Sequence, residues 1–312
     1  MSPQPACPVA DRAPPPRRRR RPGRARRRGA AAIAAPLALA LALTARAGEA
    51  GEAGEPAAGD RITYNLPLDL GITIAAGTLW LGTQLGQEVL AADRCGWCDR
   101  DGDGSDALNG LDGAARSLRW ADPTAANTAS DVLGYVVSPA SALGLNALAA
   151  GLDDRLDEAW INSLLIAEAT FVASMTTQLV KFAVARERPF VHYRSDEVTK
   201  PSDNNVSFFS AHTNFSFAIA VSSGMVASLR GYRHAPWVWA GGLPIAAGIG
   251  YLRIAADRHY FTDVITGAVV GTLSGVLVPL LFHAAPAKVE RARLAPSSVS
   301  VSDRVISATW RF

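Results

Sequence analysis

Two short polar stretches of the sequence contain residue types that bind anions and transfer protons. In KFAVARERPF, Lys181 stands seven residues before Arg188, so a helix would present both cations on one face, up to the end that Pro189 imposes. In FFSAHTNFSFA, Ser210 and His212 come directly before an apolar run. The first turn of a helix has unpaired N–H groups and the positive end of the helix dipole. Both stretches therefore predict anion binding at helix ends.

A third stretch, YLRIAADRHYFTD, adds a histidine with its own carboxylate. Arg253 precedes His259 by six residues, and Asp263 follows it by four. On a helix, a carboxylate four residues away can reach an imidazole nitrogen and fix its tautomer. Each stretch alone is common as a structural feature. Together, three cations, two histidines, one carboxylate and a helix start in an otherwise apolar region predict an anion site with histidine chemistry.

The order K-x6-R-P, S-x-H and R-x5-H-x3-D resembles the type 2 phosphatidic acid phosphatase superfamily, which includes bacterial non-specific acid phosphatases and vanadium haloperoxidases. The three motifs extend from Lys181 to Asp263. In this family the motifs are K-x6-R-P, P-S-G-H and S-R-x5-H-x3-D. This chain departs at three positions, with Phe209 for proline, Ala211 for glycine and Leu252 for serine. The added methyl group of Ala211 would narrow a phosphate pocket.

The resemblance implies a role for each matching residue. His259 would attack phosphorus and form a phosphohistidine, with Asp263 holding its far nitrogen. His212 would protonate the leaving group and then activate water. The resemblance implies that the phosphate oxygens are bound by Lys181, Arg188, Ser210, Ala211 and Arg253. It implies no metal and no cofactor. The expected activity is hydrolysis of phosphate monoesters, on a lipid phosphate, an isoprenyl pyrophosphate or a small phosphorylated molecule.

Two other functions fit the same residues. A vanadate-dependent haloperoxidase would use the cations to hold vanadate, its only cofactor, with His259 as the ligand. Halide oxidation that requires vanadate, without phosphatase activity in its absence, would indicate it. A non-catalytic envelope protein that binds lipid head groups would keep the cations but would not need both histidines and the carboxylate.

Six apolar segments, each longer than a strand, must position these residues. They cover residues 68–92, 131–151, 158–185, 211–230, 236–256 and 261–283. They predict an all-α fold, a helical bundle of about six core helices, and the resemblance implies the phosphatidic acid phosphatase type 2/haloperoxidase-like arrangement. Gly267, Gly271 and Gly275 recur every four residues, a spacing typical of closely packed helices in membranes.

The remaining segments define the domain organisation. Residues 1–47 combine an Arg-rich start, an apolar run and a small-x-small site, which predicts a signal peptide or an N-terminal anchor. Residues 48–64 are expected to form a linker and residues 65–285 the phosphatase domain, with loop 93–130 inserted between its first two helices. Residues 286–312 form a tail whose alternating pattern fits a short strand.

The distribution of charged residues along the chain indicates which partners the protein could bind. Residues 1–47 contain 11 of the 31 basic residues and one of the 28 acidic residues, which leaves 20 basic and 27 acidic side chains in the remainder. This acidic excess argues against nucleic-acid binding, whereas the apolar segments favour a membrane. We expect export to the bacterial cell envelope, either as a membrane protein or as a soluble periplasmic one. A cleaved signal followed by six spans would place the site on the cytoplasmic side, whereas six-span relatives usually have it outside.

The segment CGWCDRDGDGSD, residues 95–106, allows several interpretations. In an oxidising compartment, Cys95 and Cys98 are expected to form a disulfide rather than a metal pair. The C-x-x-C spacing also occurs in redox sites, but no βαβ pattern surrounds it. The aspartates match the first half of a calcium loop, but Gly110 stands where its last ligand should be glutamate. Helix counting places this loop on the side of the three motifs, where it would lie over or beside the pocket.

Overall fold

The structure, a computed structural model, describes residues 61–193 and 200–285, together with the backbone of residues 298–302 and 305–309. The predicted export segment 1–47, linker residues 48–60 and much of the tail 286–312 lie outside the described residues. Within the described part, six long helical segments follow one another, which confirms the predicted all-α bundle.

Ten helices and two short strands make up the described chain. The helices are α1 (Leu66–Leu85), α2 (Gln87–Leu90), α3 (Gly110–Ala115), α4 (Pro123–Val132), α5 (Ser138–Leu152), α6 (Ala159–Val184), α7 (Pro189–His192), α8 (Ala211–Leu229), α9 (Ala235–Ala255) and α10 (Phe261–Val278). Single 3-10 turns are formed by Arg116–Leu118, Leu156–Glu158 and Pro201–Asp203, and wider π turns by Leu133–Val137 and Pro279–His283. In the tail, β1 (Ser298–Ser302) pairs antiparallel with β2 (Val305–Thr309).

The second long helical segment starts eight residues before its predicted start at 131. The Asp122 side chain accepts a hydrogen bond from the Ala125 N–H at 3.0 Å, and Pro123 occupies the first helical position, so a cap fixes the start there. The first turns, PTAANTASDV, are polar, so a search for apolar segments does not detect the start of this helix. Through the π turn Leu133–Val137 it continues into α5, so that residues 123–152 form one segment of 30 residues.

The centre of the bundle is α8, which packs against α10, α9, α6 and α5. The predicted glycine face of α10 packs directly against α8. A Cβ atom at Gly267 would lie 2.7 Å from the backbone oxygen of Ser210, and one at Gly275 would lie 2.8 Å from the Val221 side chain. Both distances are shorter than van der Waals contact, so only glycine lets the two helices approach this closely.

The outer faces of the bundle are apolar. On α10, Ile265, Val269, Leu273 and Leu277 are exposed along the side opposite the glycines. Among the described residues, five segments are long and apolar enough to cross a membrane: Leu66–Leu85, Pro123–Leu152, Leu156–Val184, Ala235–Ala255 and Phe261–His283. The central α8 is not among them, because its buried serine, threonine and asparagine side chains lower its hydropathy. These apolar surfaces support integration into a membrane.

The two ends of the domain lie side by side. The Thr63 N–H donates to the His283 carbonyl at 2.7 Å, and the Ala285 N–H donates to the Arg61 carbonyl at 2.7 Å. Because residues 261–283 are continuously helical, this end lies about 35 Å from the start of α10, on the opposite side of the bundle. We call it the distal end.

Candidate active site

The three polar stretches meet at one end of the bundle, around a cavity of about 300 Å³. Of the residues predicted from the sequence, six line this cavity: Lys181, Arg188, Ala211, His212, Arg253 and His259. Two others, Ser210 and Asp263, are fully buried behind it. The cavity is also lined by Gln84, Gln87, Asn127, Asp131, Tyr135, Asp203 and Arg258.

The backbone that carries Lys181 and Arg188 differs from the prediction. A single helix was expected to carry Lys181 and Arg188, but α6 ends at Val184, and Ala185 follows with a left-handed φ of 50°. Arg188 therefore lies in extended backbone just before α7. The chain turns back on itself there, and both cations still face one cavity.

Each arginine of the cavity is held by neighbouring polar groups. Arg253, at the end of α9, donates from Nη1 to the Asn127 Oδ1 and the Ser130 Oγ, both at 2.9 Å. Arg188 donates to Asp203 at 2.9 Å, and Arg258 donates to the other oxygen of that carboxylate at 3.1 Å. Burial alone would raise the pKa of Asp203, but Arg188, Lys181 and Arg258 outweigh it and lower that pKa. Asp203 therefore stays ionised and offsets part of the positive charge.

Ser210 acts as the N-cap of α8. Its Oγ accepts from the Thr213 hydroxyl at 3.0 Å, and its backbone N–H donates to the Asp263 carbonyl at 3.1 Å. It does not line the cavity, so the structure gives it a helix-starting role. The adjacent Ala211 lines the cavity at the first position of α8, where backbone N–H groups are free for an anion.

His259 lies in the turn between α9 and α10, buried and next to Asp263. Its Nδ1 is 3.6 Å from the Asp263 Oδ2, close enough for attraction but too far for a hydrogen bond. The prediction that one helix carries both was wrong, because α10 begins at Phe261, after His259. Burial, together with the positive charges of Arg188, Arg253 and Lys181, lowers the pKa of His259 well below 6.5. The imidazole is therefore neutral, as a nucleophile must be.

Three hydrogen-bond donors hold the Asp263 carboxylate in place. Its Oδ2 accepts from the Ser207 hydroxyl at 2.6 Å and from the Tyr260 N–H at 3.0 Å, and its Oδ1 accepts from Arg186 at 2.6 Å. These bonds fix the carboxylate on the Nδ1 side of the imidazole. The Nε2 atom of His259 is then left for chemistry at the cavity.

His212 has its own carboxylate, which the sequence did not reveal. Its Nε2 lies 2.8 Å from the Asp131 Oδ1, and its ring packs 4.7 Å from that of Tyr135. Both partners come from the segment 123–152, far from the motifs in sequence. The polar first turns of that segment were the signal, since Asn127 and Asp131 occupy successive turns of one helix face.

A further residue missed from the sequence is Arg186, which no solvent reaches. Its guanidinium binds Asp263, Asp112 at 2.9 Å and Asp99 at 2.8 Å, between the rings of Trp97 and Tyr260. Burial alone would lower the pKa of Arg186, but the three carboxylates raise it, so the charge is permanent. Its position two residues before Arg188, in the first motif, was the available signal.

Residues 95–106 pack behind the site, where Asp99 binds Arg186. Cys95 and Cys98 are joined by a disulfide with Cα atoms 5.5 Å apart. No residue of this segment lines the cavity, so the structure places it beside the pocket rather than over it. Within the described ranges, its carboxylates are not part of any group of three ligands close enough to hold a metal ion. Asp99 instead binds Arg186, whereas Asp101 and Asp103 accept hydrogen bonds from Ser105.

Comparison with known proteins gives a family match over the part of the chain that contains the site. The family model described as PAP2 superfamily matches residues 162–286, a range that includes all three motifs. Among solved structures, the chain is similar to a transmembrane PAP2 type phosphatidylglycerolphosphate phosphatase from Bacillus subtilis. The sequence identity is 15% and the TM-score is 0.41, and the alignment covers 68% of this chain and 94% of that one. No sequence match was found among curated proteins. Residues 162–286 therefore form a PAP2 superfamily domain, which supports a phosphatase-type function.

Proposed function

We propose that this protein is a membrane-integral phosphatase that hydrolyses phosphate monoesters through a phosphohistidine intermediate, without a metal ion. The observation that carries the proposal is the single cavity where Lys181, Arg188 and Arg253 face His212 and His259. Three buried cations select an anion with several oxygens. Two histidines, each beside a carboxylate, supply a nucleophile and a proton donor.

In the first chemical step, the neutral His259 attacks phosphorus through Nε2, because Nδ1 faces Asp263. The N–P bond forms as the ester P–O bond breaks, and the leaving alkoxide takes a proton from His212. Burial and the positive charge of Arg253 lower the pKa of His212 to about 3, and Asp131, 2.8 Å from its Nε2, opposes this shift. A bound phosphate dianion would add negative charge beside the ring, so that His212 is protonated in the substrate complex before this transfer. The positive charge that develops on His259 is offset by Asp263.

In the second step, His212 acts in the opposite direction. It takes a proton from a water molecule, the water oxygen attacks phosphorus, and the N–P bond breaks to release phosphate and neutral His259. In both steps the non-bridging oxygens stay bound by Lys181, Arg188, Arg253 and the amino end of α8. Their charge becomes more localised in the transition state, so preorganised cations stabilise it more than the ground state.

A lipid phosphate is the substrate class that best fits the surroundings of the cavity. Tyr135 stands at the cavity with an exposed fraction of 42%, and its ring is 6.0 Å from that of Phe215. Phe215 continues to Trp80 of α1 at 6.4 Å. These aromatic rings lead from the phosphate pocket towards the apolar outer surface of α1, where an acyl or isoprenyl chain would lie.

We also propose export to the cell envelope, supported by the Arg-rich and apolar composition of residues 1–47. Membrane integration is tested by a carbonate wash of isolated membranes. We expect the protein to stay in the membrane pellet, whereas extraction into the wash would contradict multiple spans. Protease accessibility of a tag after residue 312 then reports the side of the distal end, and hence of the site.

The decisive experiment compares His259→Ala with the control His234→Ala, a partly exposed histidine at the distal end. Both variants are purified in detergent and assayed for phosphate release from a lipid phosphate and from p-nitrophenyl phosphate. We expect the His259 variant to keep less than about 1% of the activity, because it lacks a covalent nucleophile. The control should match the wild type.

A second readout traps the intermediate itself. The wild type, mixed with a substrate carrying labelled phosphate and quenched at alkaline pH, should carry an acid-labile label that the His259 variant lacks. A wild type that turns over without any such label would contradict the phosphohistidine step. Halide oxidation on addition of vanadate, without phosphate release in its absence, would instead identify a haloperoxidase.

A further inference from the structure

A second cluster of buried ionisable groups lies at the distal end. Asp69 from the first turn of α1, Glu168 from the middle of α6 and His283 from the end of the last helical segment are each less than 5% exposed. One ligand atom from each lies within 4.8 Å of the others. Glu168 is 13 residues before Lys181, so the cluster is about 20 Å from the phosphate cavity along α6. It therefore has no part in the chemistry proposed above.

The tautomer of His283 turns a lone pair towards Glu168. Its Nδ1 lies 3.3 Å from the Thr63 carbonyl, an acceptor, so Nδ1 carries the hydrogen. In the neutral ring, Nε2 is then a bare acceptor, and it lies 3.5 Å from the Glu168 Oε2. Both atoms are buried and have no hydrogen-bond partner in the described part of the chain. Two facing acceptors repel each other unless a positive charge lies between them.

The negative charge of the two buried carboxylates also favours binding of a cation. Two carboxylates are buried together, and in the described ranges 61–193 and 200–285 neither Asp69 nor Glu168 forms an ion pair with a lysine or arginine. Burial and the neighbouring carboxylate make two ionised groups costly in a bundle with apolar outer faces. A divalent cation would offset both charges at once.

The spacing of the ligand atoms fits a small tetrahedral ion. Zinc binds histidine nitrogen and carboxylate oxygen at about 2.0–2.2 Å, which places neighbouring ligands of a tetrahedron about 3.4 Å apart. The observed 3.5 Å between His283 and Glu168 matches that edge. Asp69 would complete the set by a small rotation, since its carboxylate is within 4.8 Å.

The hydrogen bonds of His283 and Asp69 to neighbouring groups resemble those that orient the ligands of metal sites. His283 donates its far N–H to a backbone carbonyl, and the Asp69 Oδ2 accepts from the Asn65 N–H at 2.8 Å. Such outer hydrogen bonds orient metal ligands. A cavity of about 220 Å³, lined by Asp69 and Glu168, leaves room for a fourth ligand.

We propose that Asp69, Glu168 and His283 form a binding site for a divalent cation of the zinc class, with water in the fourth position. The ion would join α1, α6 and the last helical turn. It would thereby fasten the beginning of the domain to its end, where Thr63 and His283 already share a backbone hydrogen bond.

The test uses the full chain in detergent, stripped with a chelator and titrated with Co²⁺, which reports tetrahedral sites through its visible absorption. We expect saturation at one ion per chain and competition by Zn²⁺. Glu168→Gln and His283→Gln should each weaken binding at least tenfold, whereas the control His234→Gln should not change it. Zn²⁺ should raise the Tm of the wild type and not that of the His283 variant.

Two results would overturn the proposal. One is a stripped wild type without saturable binding of Co²⁺ or Zn²⁺, which would leave a proton between His283 and Glu168. The other is one-to-one binding that persists unchanged in both variants, which would place the ion elsewhere. If one variant does not fold, the other still tests whether the ion binds at this cluster, and the wild-type titration and its Tm shift still decide whether an ion binds at all.

Discussion

The cavity end and the distal end of the bundle both bury ionisable groups, but with opposite charge. At the cavity, Lys181, Arg188 and Arg253 surround two histidines, whereas at the distal end Asp69 and Glu168 face one histidine. Among these cations, His259 is held neutral and suits attack on an anion. A histidine facing carboxylates must take up a proton or a metal ion. The neighbouring charges, more than the imidazole itself, therefore determine what each end can bind.

The largest effect is expected when Asp263, the carboxylate beside the nucleophile, loses its charge. Asp263→Asn keeps the shape but loses the charge that offsets a cationic His259. By analogy with the carboxylate of serine-protease triads, we expect kcat to fall by about 10³- to 10⁴-fold. Steady-state kinetics on a lipid phosphate measure it, with the exposed Asp157→Asn as control. Retention of more than about a tenth of the activity would refute this role.

Removing the charge of Asp131, the carboxylate beside His212, should reduce activity less than Asp263→Asn does, and by an amount that depends on the leaving group of the substrate. Asp131→Asn removes the charge that favours protonated His212, so we expect kcat to fall about 100-fold on a lipid phosphate, whose alkoxide needs a proton. On p-nitrophenyl phosphate, a better leaving group, the loss should be several-fold smaller. Equal losses on both substrates would argue against proton donation by His212.

The pH profile tests whether the cations keep His259 neutral. Its lowered pKa means that the nucleophile stays unprotonated as the pH falls through 6.5, the ordinary value for histidine. After correction for substrate ionisation, kcat/KM for p-nitrophenyl phosphate should therefore hold on the acid side of 6.5. Lys181→Met removes one cation and should move the acid limb to higher pH. An unchanged limb in this variant would contradict the electrostatic cause.

A smaller effect is expected at Asp203, which binds Arg188 and Arg258 of the cavity. Asp203→Asn removes a negative charge beside the bound phosphate while keeping an acceptor for Arg188 and Arg258. We expect inorganic phosphate to inhibit at a concentration about three- to tenfold lower. Weaker inhibition would show that Asp203 serves mainly to position the arginines.

The smallest effect on turnover belongs to the distal end. Glu168→Gln and His283→Gln should leave phosphate release within about twofold of the wild type, because about 20 Å of helix separates them from the cavity. Their effect should appear instead in metal binding and in Tm. A large loss of kcat at unchanged Tm would couple the two ends and contradict their independence.

The motifs predicted which residues surround the cavity, but not how the backbone brings them there. Lys181 and Arg188 were expected on one helix, yet a left-handed Ala185 separates them. Asp131 and Arg186 were missed for different reasons. Asp131 pairs with a histidine 81 residues away, and no local pattern encodes such a pair. Arg186 lies inside a motif, but its three carboxylate partners come from three separate segments.

Local patterns in the sequence were enough to predict the helical class, the apolar surfaces and an anion site, because hydropathy, helix caps and short motifs are local properties. Only the folded chain shows which carboxylate lies beside which histidine and that residues 95–106 pack behind the site. It also brought Asp69, Glu168 and His283 together from three helices. Those outcomes depend on distances between residues far apart in the chain, and packing, led by the glycine contact of α10 with α8, sets those distances.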